Sequence, residues 1–399
     1  MRLGTSSLVV AAFVGPGTVL TCASAGLRYG YALGWVLVFA VASVFILQSL
    51  TAGTGILARK GLGEALREVG ATPLRRVLVY GLVVLGLWVG CAAFETGNLV
   101  GAAAGLELVL GVRGRWLVGG VAVLAALLLL LDLRVIMRVL TALVAVMGGL
   151  FVAVLFLVPL DVRALRAGLL VPRVPPGGLV TVIALLGTTV VTYNLFLHAS
   201  ATKGYWKDEV PDRAWRRELL GMAVFLPIGG LISLAILAAG AVLHGEGTAG
   251  VTVPELARLL EPVAGSAARY LFGTGLLAAG LTSAVTAPLA AARGISELFG
   301  WQPGTAASRL VWASVIGTGL AFGLTGLFAA AAHRRGAGGQ RPAPAARRGV
   351  RALPHLPATS RCATPLVPGR RGRGADDLCR ARRAHAALGV ESTLRRVRD

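Results

Sequence analysis

Charge is what this chain has least of. Only 14% of its 399 residues are Asp, Glu, Lys or Arg, and just 18 of them are acids. A soluble domain of this length carries nearly twice that charge. Cysteine is also scarce. Cys22, Cys91, Cys362 and Cys379 form no C-x-x-C pair, which argues against a zinc clip or a disulfide framework. No nucleotide-binding loop, nucleophile elbow or zinc signature occurs, so neither catalysis nor ATP coupling is indicated, and no cofactor is implied. The apolar stretches do not alternate, which excludes the strands of a transmembrane barrel.

What is present is hydrophobic length. The residues are 56% hydrophobic, and the mean hydropathy is +0.76. Nine apolar runs recur, roughly 6–27, 33–57, 77–110, 116–132, 135–160, 178–200, 219–243, 268–295 and 308–332. Each approaches or exceeds the length that crosses a hydrocarbon core as helix. The class expected is an all-α, multi-pass membrane protein. Arg59, Lys60, Arg67, Arg75, Arg76, Lys203, Lys207, Arg213, Arg216 and Arg217 all fall in alternate loops. By the positive-inside rule these loops are cytoplasmic, and so is the N-terminus.

Composition changes abruptly near His333. Residues 333–399 hold sixteen Arg and no Lys, Ile, Phe, Tyr, Trp, Met or Asn, and they are net +12 of the chain's +21. Such a segment reads as a disordered basic tail, with binding to anionic lipid or nucleic acid as further readings. A frameshift in a GC-rich gene explains the composition better. Shifted by one base, "AHRRGAGGQRPAPA" can read P-T-V-A-A-Q-A-A-N-G-L-L-L-P, an ordinary membrane segment. The organisation expected is a transporter domain over 1–332 and a tail over 333–399.

Two runs are interrupted. In the first, Gly15, Pro16 and Gly17 precede Thr18 in "AAFVGPGTVLTCASAG", where proline and glycine break the hydrogen-bond ladder. In the sixth, "VTVIALLGTTVVTYNLFLHAS", a β-branched stretch follows Gly187. Broken helices at matching places in two five-helix halves point to an inverted-repeat transporter with a midplane site, although a Gly-Pro kink can also serve packing alone. Oxygens near the breaks are the candidate ion ligands: carbonyls near Ala12 and Thr188, the Thr18 hydroxyl, the Tyr193 hydroxyl and the Asn194 amide. Glu95, three residues before Asn98 on one helical face, is an intramembrane acid. It would either balance cargo charge or carry a proton, or it would be a protonated structural residue. His198 is a cap or, less readily, a proton carrier. Thr282, Ser283 and Thr286 sit at small-residue spacing and read as packing.

The residues "GPGTVLTCASAGLRYGYALGW", the Gln48-Ser49-Leu50 step, "GLGEALRE", "GTTVVTYNLFLHAS" and "LLAAGLTSAVTAPLAA" together resemble the Nramp family of divalent-metal transporters over roughly residues 10–330. The resemblance implies a LeuT-type inverted-repeat fold with broken helices 1 and 6. It implies secondary transport of a divalent metal cation, with a proton as possible co-substrate, in the cell membrane. No nucleic-acid partner follows from it. The family's Asp-Pro-Gly-Asn falls here on Gly15, Pro16, Gly17 and Thr18, and its Met-Pro-His on Val191, Thr192 and Tyr193. Acid, amide, thioether and imidazole are therefore replaced. The remaining neutral oxygens suit a hard, partly hydrated cation such as Mg²⁺, or a monovalent or neutral solute, better than Mn²⁺ or Fe²⁺. Rival readings are an amino-acid carrier on the same fold and a truncated product that does not transport.

Overall fold

The computed structural model describes residues 5–69, 72–157, 160–242, 244, 265 and 267–325. The Arg-rich tail, Cys362 and Cys379 lie outside the described residues. Thirteen helices appear among those described. They are α1 (Ser6–Phe13), α2 (Pro16–Tyr29), α3 (Gly34–Ile56), α4 (Leu62–Val69), α5 (Pro73–Leu110), α6 (Trp116–Leu129) and α7 (Leu133–Leu157). They continue with α8 (Val162–Leu170), α9 (Leu179–Thr189), α10 (Thr192–Tyr205), α11 (Pro211–Ala241), α12 (Ala267–Phe299) and α13 (Ala306–Thr325). Each of the nine apolar runs is largely helical over its described residues. Among the described residues six stretches are long and apolar enough to cross a membrane: 34–56, 73–110, 179–205, 211–241, 267–299 and 306–325.

The helices are apolar on faces that no other described element covers. On α5, Leu74, Val77, Leu82, Leu85 and Val89 are exposed, with Leu82 at 72%. An apolar face of that size is ruinous in water and ordinary against lipid. The opposite character belongs to α12, whose membrane-length segment is almost wholly enclosed. It packs along α5, against α13, α7 and α10, and forms the axis of the bundle.

Close helix approach is bought by missing side chains. A Cβ on Gly26 would stand 2.0 Å from the Leu237 carbonyl oxygen, and one on Gly240 would stand 2.2 Å from that of Ala23. α2 and α11 thus lie backbone to backbone at a reciprocal pair of glycines, the small-residue packing that substitutes for a hydrophobic drive in lipid.

The basic loops gather at one end. Lys203 pairs with Glu64 of α4 at 2.6 Å, and Arg217 pairs with Glu209 at 2.6 Å. Arg59 donates to the carbonyls of Trp206 and Glu209 at 2.8 Å each. α4 seats itself on α12 at this end. Deeper in the same end, Glu218 of α11 is fully buried yet ionically well served. Its carboxylate accepts from Thr5 Oγ1 (2.9 Å), Ser6 Oγ (2.7 Å), Trp206 Nε1 (2.6 Å) and the Thr5 amide (3.3 Å), and His198 Nε2 lies 3.2 Å away. These contacts fasten the start of α1 to α10 and α11.

Candidate functional site: two broken helices and a neutral oxygen cage

Helix one parts between Phe13 and Pro16. Val14 has φ −88° and ψ 74°, and Gly15 is extended at φ −105° and ψ 179°. Pro16 and Gly17 do not stand in the gap; they make the first turn of α2, where proline's missing N–H costs nothing. Helix six parts at Val190 and Val191, inside the β-branched stretch that follows Gly187. Val190 has φ −88° and ψ 76°, nearly the torsions of Val14, and Val191 is extended. Two unrelated pieces of sequence therefore break their helices with the same backbone step, as a structural repeat requires.

The breaks face one another and are tied by side chains that cross between them. Thr18 Oγ1 donates to the Phe13 carbonyl at 2.6 Å, with the Thr188 carbonyl at 3.3 Å. Tyr193 donates its hydroxyl to the Ala12 carbonyl at 3.2 Å, and Asn194 Nδ2 donates to the Val9 carbonyl at 3.1 Å. Each half-helix end that would otherwise expose carbonyls to lipid is thereby partly satisfied. Asn194 Oδ1 is buried and has no protein partner. Val191, in the place where the family resemblance puts methionine, is buried and offers only hydrocarbon.

The wall opposite Gly15 was read from sequence as mere packing. A Cβ built on Gly15 would lie 2.6 Å from Ser283 Oγ and 3.6 Å from Asn98 Oδ1. Ser283 Oγ is buried and unpartnered. Asn98 in turn donates to Glu95 Oε2 at 3.4 Å, and Glu95 Oε1 has no partner. A line of polar atoms thus runs from the helix-one break through Ser283 and Asn98 to Glu95. Its neighbours Thr282 and Thr286 bond to backbone carbonyls of their own helix, at 2.9 and 3.4 Å.

His198 stands elsewhere. It is fully buried on α10 beside Glu218, not at a helix end, and none of its contacts reach the break. Sequence reasoning missed Glu218, whose position one residue ahead of an apolar run makes it look like an interface acid. Cys22 and Cys91 are free and buried. Among the described residues no group of three or more His, Cys, Asp or Glu could hold a metal. The donor set at the breaks is hydroxyl, amide and carbonyl oxygen.

A family model described as "Natural resistance-associated macrophage protein-like" matches residues 6–332. This chain belongs to the Nramp family. The divalent metal cation transporter MntH of Yersinia pestis is 33% identical over 302 residues, covering 72% of this chain and 70% of that protein. MntH of Klebsiella pneumoniae is 34% identical over 306 residues with the same coverage. Among solved structures, a mutant of the Eremococcus coleocola manganese transporter matches with a TM-score of 0.69 at 20% identity. It covers 84% of this chain and 72% of that one. The same transporter bound to an aromatic bis-isothiourea compound matches with a TM-score of 0.68 at 21% identity and the same coverage. The fold is the LeuT-type inverted repeat, and the chain is a multi-pass membrane protein of the Nramp family.

Proposed function

We propose that the chain is a secondary-active transporter of a divalent cation, seated in the cell membrane with its N-terminus in the cytoplasm. Family membership supports divalent-cation transport, and the basic loops gathered at one end support the orientation. The site favours a hard ion that keeps part of its water, Mg²⁺ ahead of Mn²⁺ or Fe²⁺. The observation that carries this is the donor set: Thr18, Tyr193, Asn194, Ser283 and the carbonyls of Ala12 and Thr188 are all neutral oxygens, while Gly15 and Val191 offer no ligand side chain. Soft or borderline metals gain most from thioether and imidazole; Mg²⁺ gains little from either and dehydrates reluctantly.

Glu95 serves as charge compensator or proton carrier for the cargo, because Asn98 is its only hydrogen-bond partner among the described residues and links it toward Gly15. His198 is assigned to the Glu218 cluster and not to ion binding. Residues 333–399 stand outside the transporter domain, and a frameshifted origin agrees with a family match that stops at residue 332, where composition changes. The test is uptake into proteoliposomes from a panel of divalent ions, using this chain and a frame-corrected version. Mg²⁺ uptake that Mn²⁺ competes with weakly is the expected result. Tight Mn²⁺ transport indifferent to excess Mg²⁺ would place the ligands elsewhere, and uptake of an amino acid regardless of divalent ions would assign another cargo.

A further inference from the structure

A cavity of about 260 Å³ opens at the basic end of the bundle, further along α12 than Ser283. It lies between the end of α6, the start of α7, the last turns of α12 and the first turns of α13. Two guanidinium groups, Arg293 and Arg309, line it. Arg293 is largely enclosed, and among the described residues it has no hydrogen-bond acceptor and no carboxylate within ion-pair distance. Glu297, one turn further along α12, acts on it only at longer range and itself accepts from the Gly63 amide at 3.3 Å. A guanidinium partly withdrawn from water, with no acceptor in the chain, leaves its donors open to the cavity, so an anion from outside the chain is the natural partner.

Other features of the cavity point the same way. The N-termini of α7 and α13, helices of 25 and 20 residues, both open on it. Their helix dipoles add positive potential. Asp132 is the one carboxylate in the lining, at the exposed rim. Beside the charged floor, Leu130 and Leu131 of the cavity wall are 61% and 44% exposed, and Leu310 next to Arg309 is 70% exposed. A charged pocket flanked by bare leucines is the complement of an amphiphile with an anionic head.

We infer that this cavity binds an anionic phospholipid of the adjoining leaflet, its phosphate between Arg293 and Arg309 and its acyl chains against Leu130, Leu131 and Leu310. Basic pockets between membrane helices on the cytoplasmic side are recognised sites for such headgroups. Arg suits the role because its planar fork meets two phosphate oxygens at once.

The test is native mass spectrometry of the purified full chain in detergent, titrated with phosphatidylglycerol or phosphatidylcholine. The tail arginines add the same background to every variant. The parent should retain phosphatidylglycerol preferentially. Arg309→Gln, at an exposed position that does not threaten folding, should weaken that retention about tenfold, one charged hydrogen bond's worth. Arg293→Gln with Arg309→Gln should erase the preference, and Asp132→Asn should strengthen it; phosphatidylcholine retention should not move. Retention of phosphatidylglycerol unchanged by Arg309→Gln and Asp132→Asn would overturn the inference. So would displacement of the lipid by inorganic phosphate alone, which would make the cavity a site for the free anion.

Discussion

Restoring a carboxylate at position 15 tests both the geometry and the selectivity of the site. Gly15→Asp places a Cβ 2.6 Å from Ser283 Oγ and 3.3 Å from Ser283 Cβ. The serine must rotate or α12 must yield, an overpacking that costs about 1–3 kcal/mol. Removing the obstruction with Ser283→Gly should return that stability. In the double variant the carboxylate meets cargo directly. At an effective dielectric constant of about 20, a carboxylate and a divalent ion about 4 Å apart attract by about 8 kcal/mol. Taking the carboxylate out of water costs several kcal/mol. A net gain of about 3 kcal/mol is roughly a hundredfold in Kd for every divalent ion. Adding Val191→Met should then favour Mn²⁺ and Cd²⁺ over Mg²⁺, because only those ions gain from a thioether. Thermal unfolding measures the first effect and calorimetric titration the second. If Gly15→Asp alone is as stable as the parent, Ser283 does not abut Gly15. If the double variant binds no divalent ion more tightly, the break is not where cargo sits.

Glu95→Gln should leave expression and folding intact, since Asn98 can still bond to the amide, but should abolish cation uptake; equal uptake by variant and parent would make Glu95 structural. Glu218→Ala strands the hydroxyls of Thr5 and Ser6, the Trp206 indole and His198 in the interior, and should cost about 3–5 kcal/mol in thermal or denaturant unfolding. A loss under about 1 kcal/mol would mean the cluster does not fasten α1. Gly26→Val drives a branched side chain into the backbone of α11 and should destabilise far more than Gly187→Val, whose added Cβ meets nothing within 4 Å. Matched melting curves of the two variants decide it.

The all-helical membrane class and the first break were legible because both depend on local composition: apolar length for the one, Gly-Pro-Gly for the other. The second break was legible only to within a few residues. Val190 and Val191 carry no proline or glycine, and the helix parts there because β-branched neighbours give a weak helix that the tertiary contact from Thr18 then opens. The helix-one side of the cage could be read, but its far wall could not. Ser283 sits among small residues on an axial helix, and nothing in that pattern says which of them meets Gly15. His198 was misplaced for the same reason. A histidine near the end of an apolar run looks like a cap until Glu218, twenty residues on, is seen to fold back over it.

During synthesis the first span leaves the ribosome with its backbone already broken. α1 has 8 residues and α2 has 14, about 12 and 21 Å of helix at 1.5 Å per residue. Neither crosses a hydrocarbon core of about 30 Å alone. The carbonyl freed at Ala12 receives its side-chain donor only from Tyr193, 181 residues later. Until helix six arrives, each unsatisfied group costs several kcal/mol in lipid. The nascent protein must therefore hold its first span against the insertion machinery, against water or in a shallow, hydrated pose through most of its own translation. A chain that stalls before residue 190 is left with a span that has no completed form.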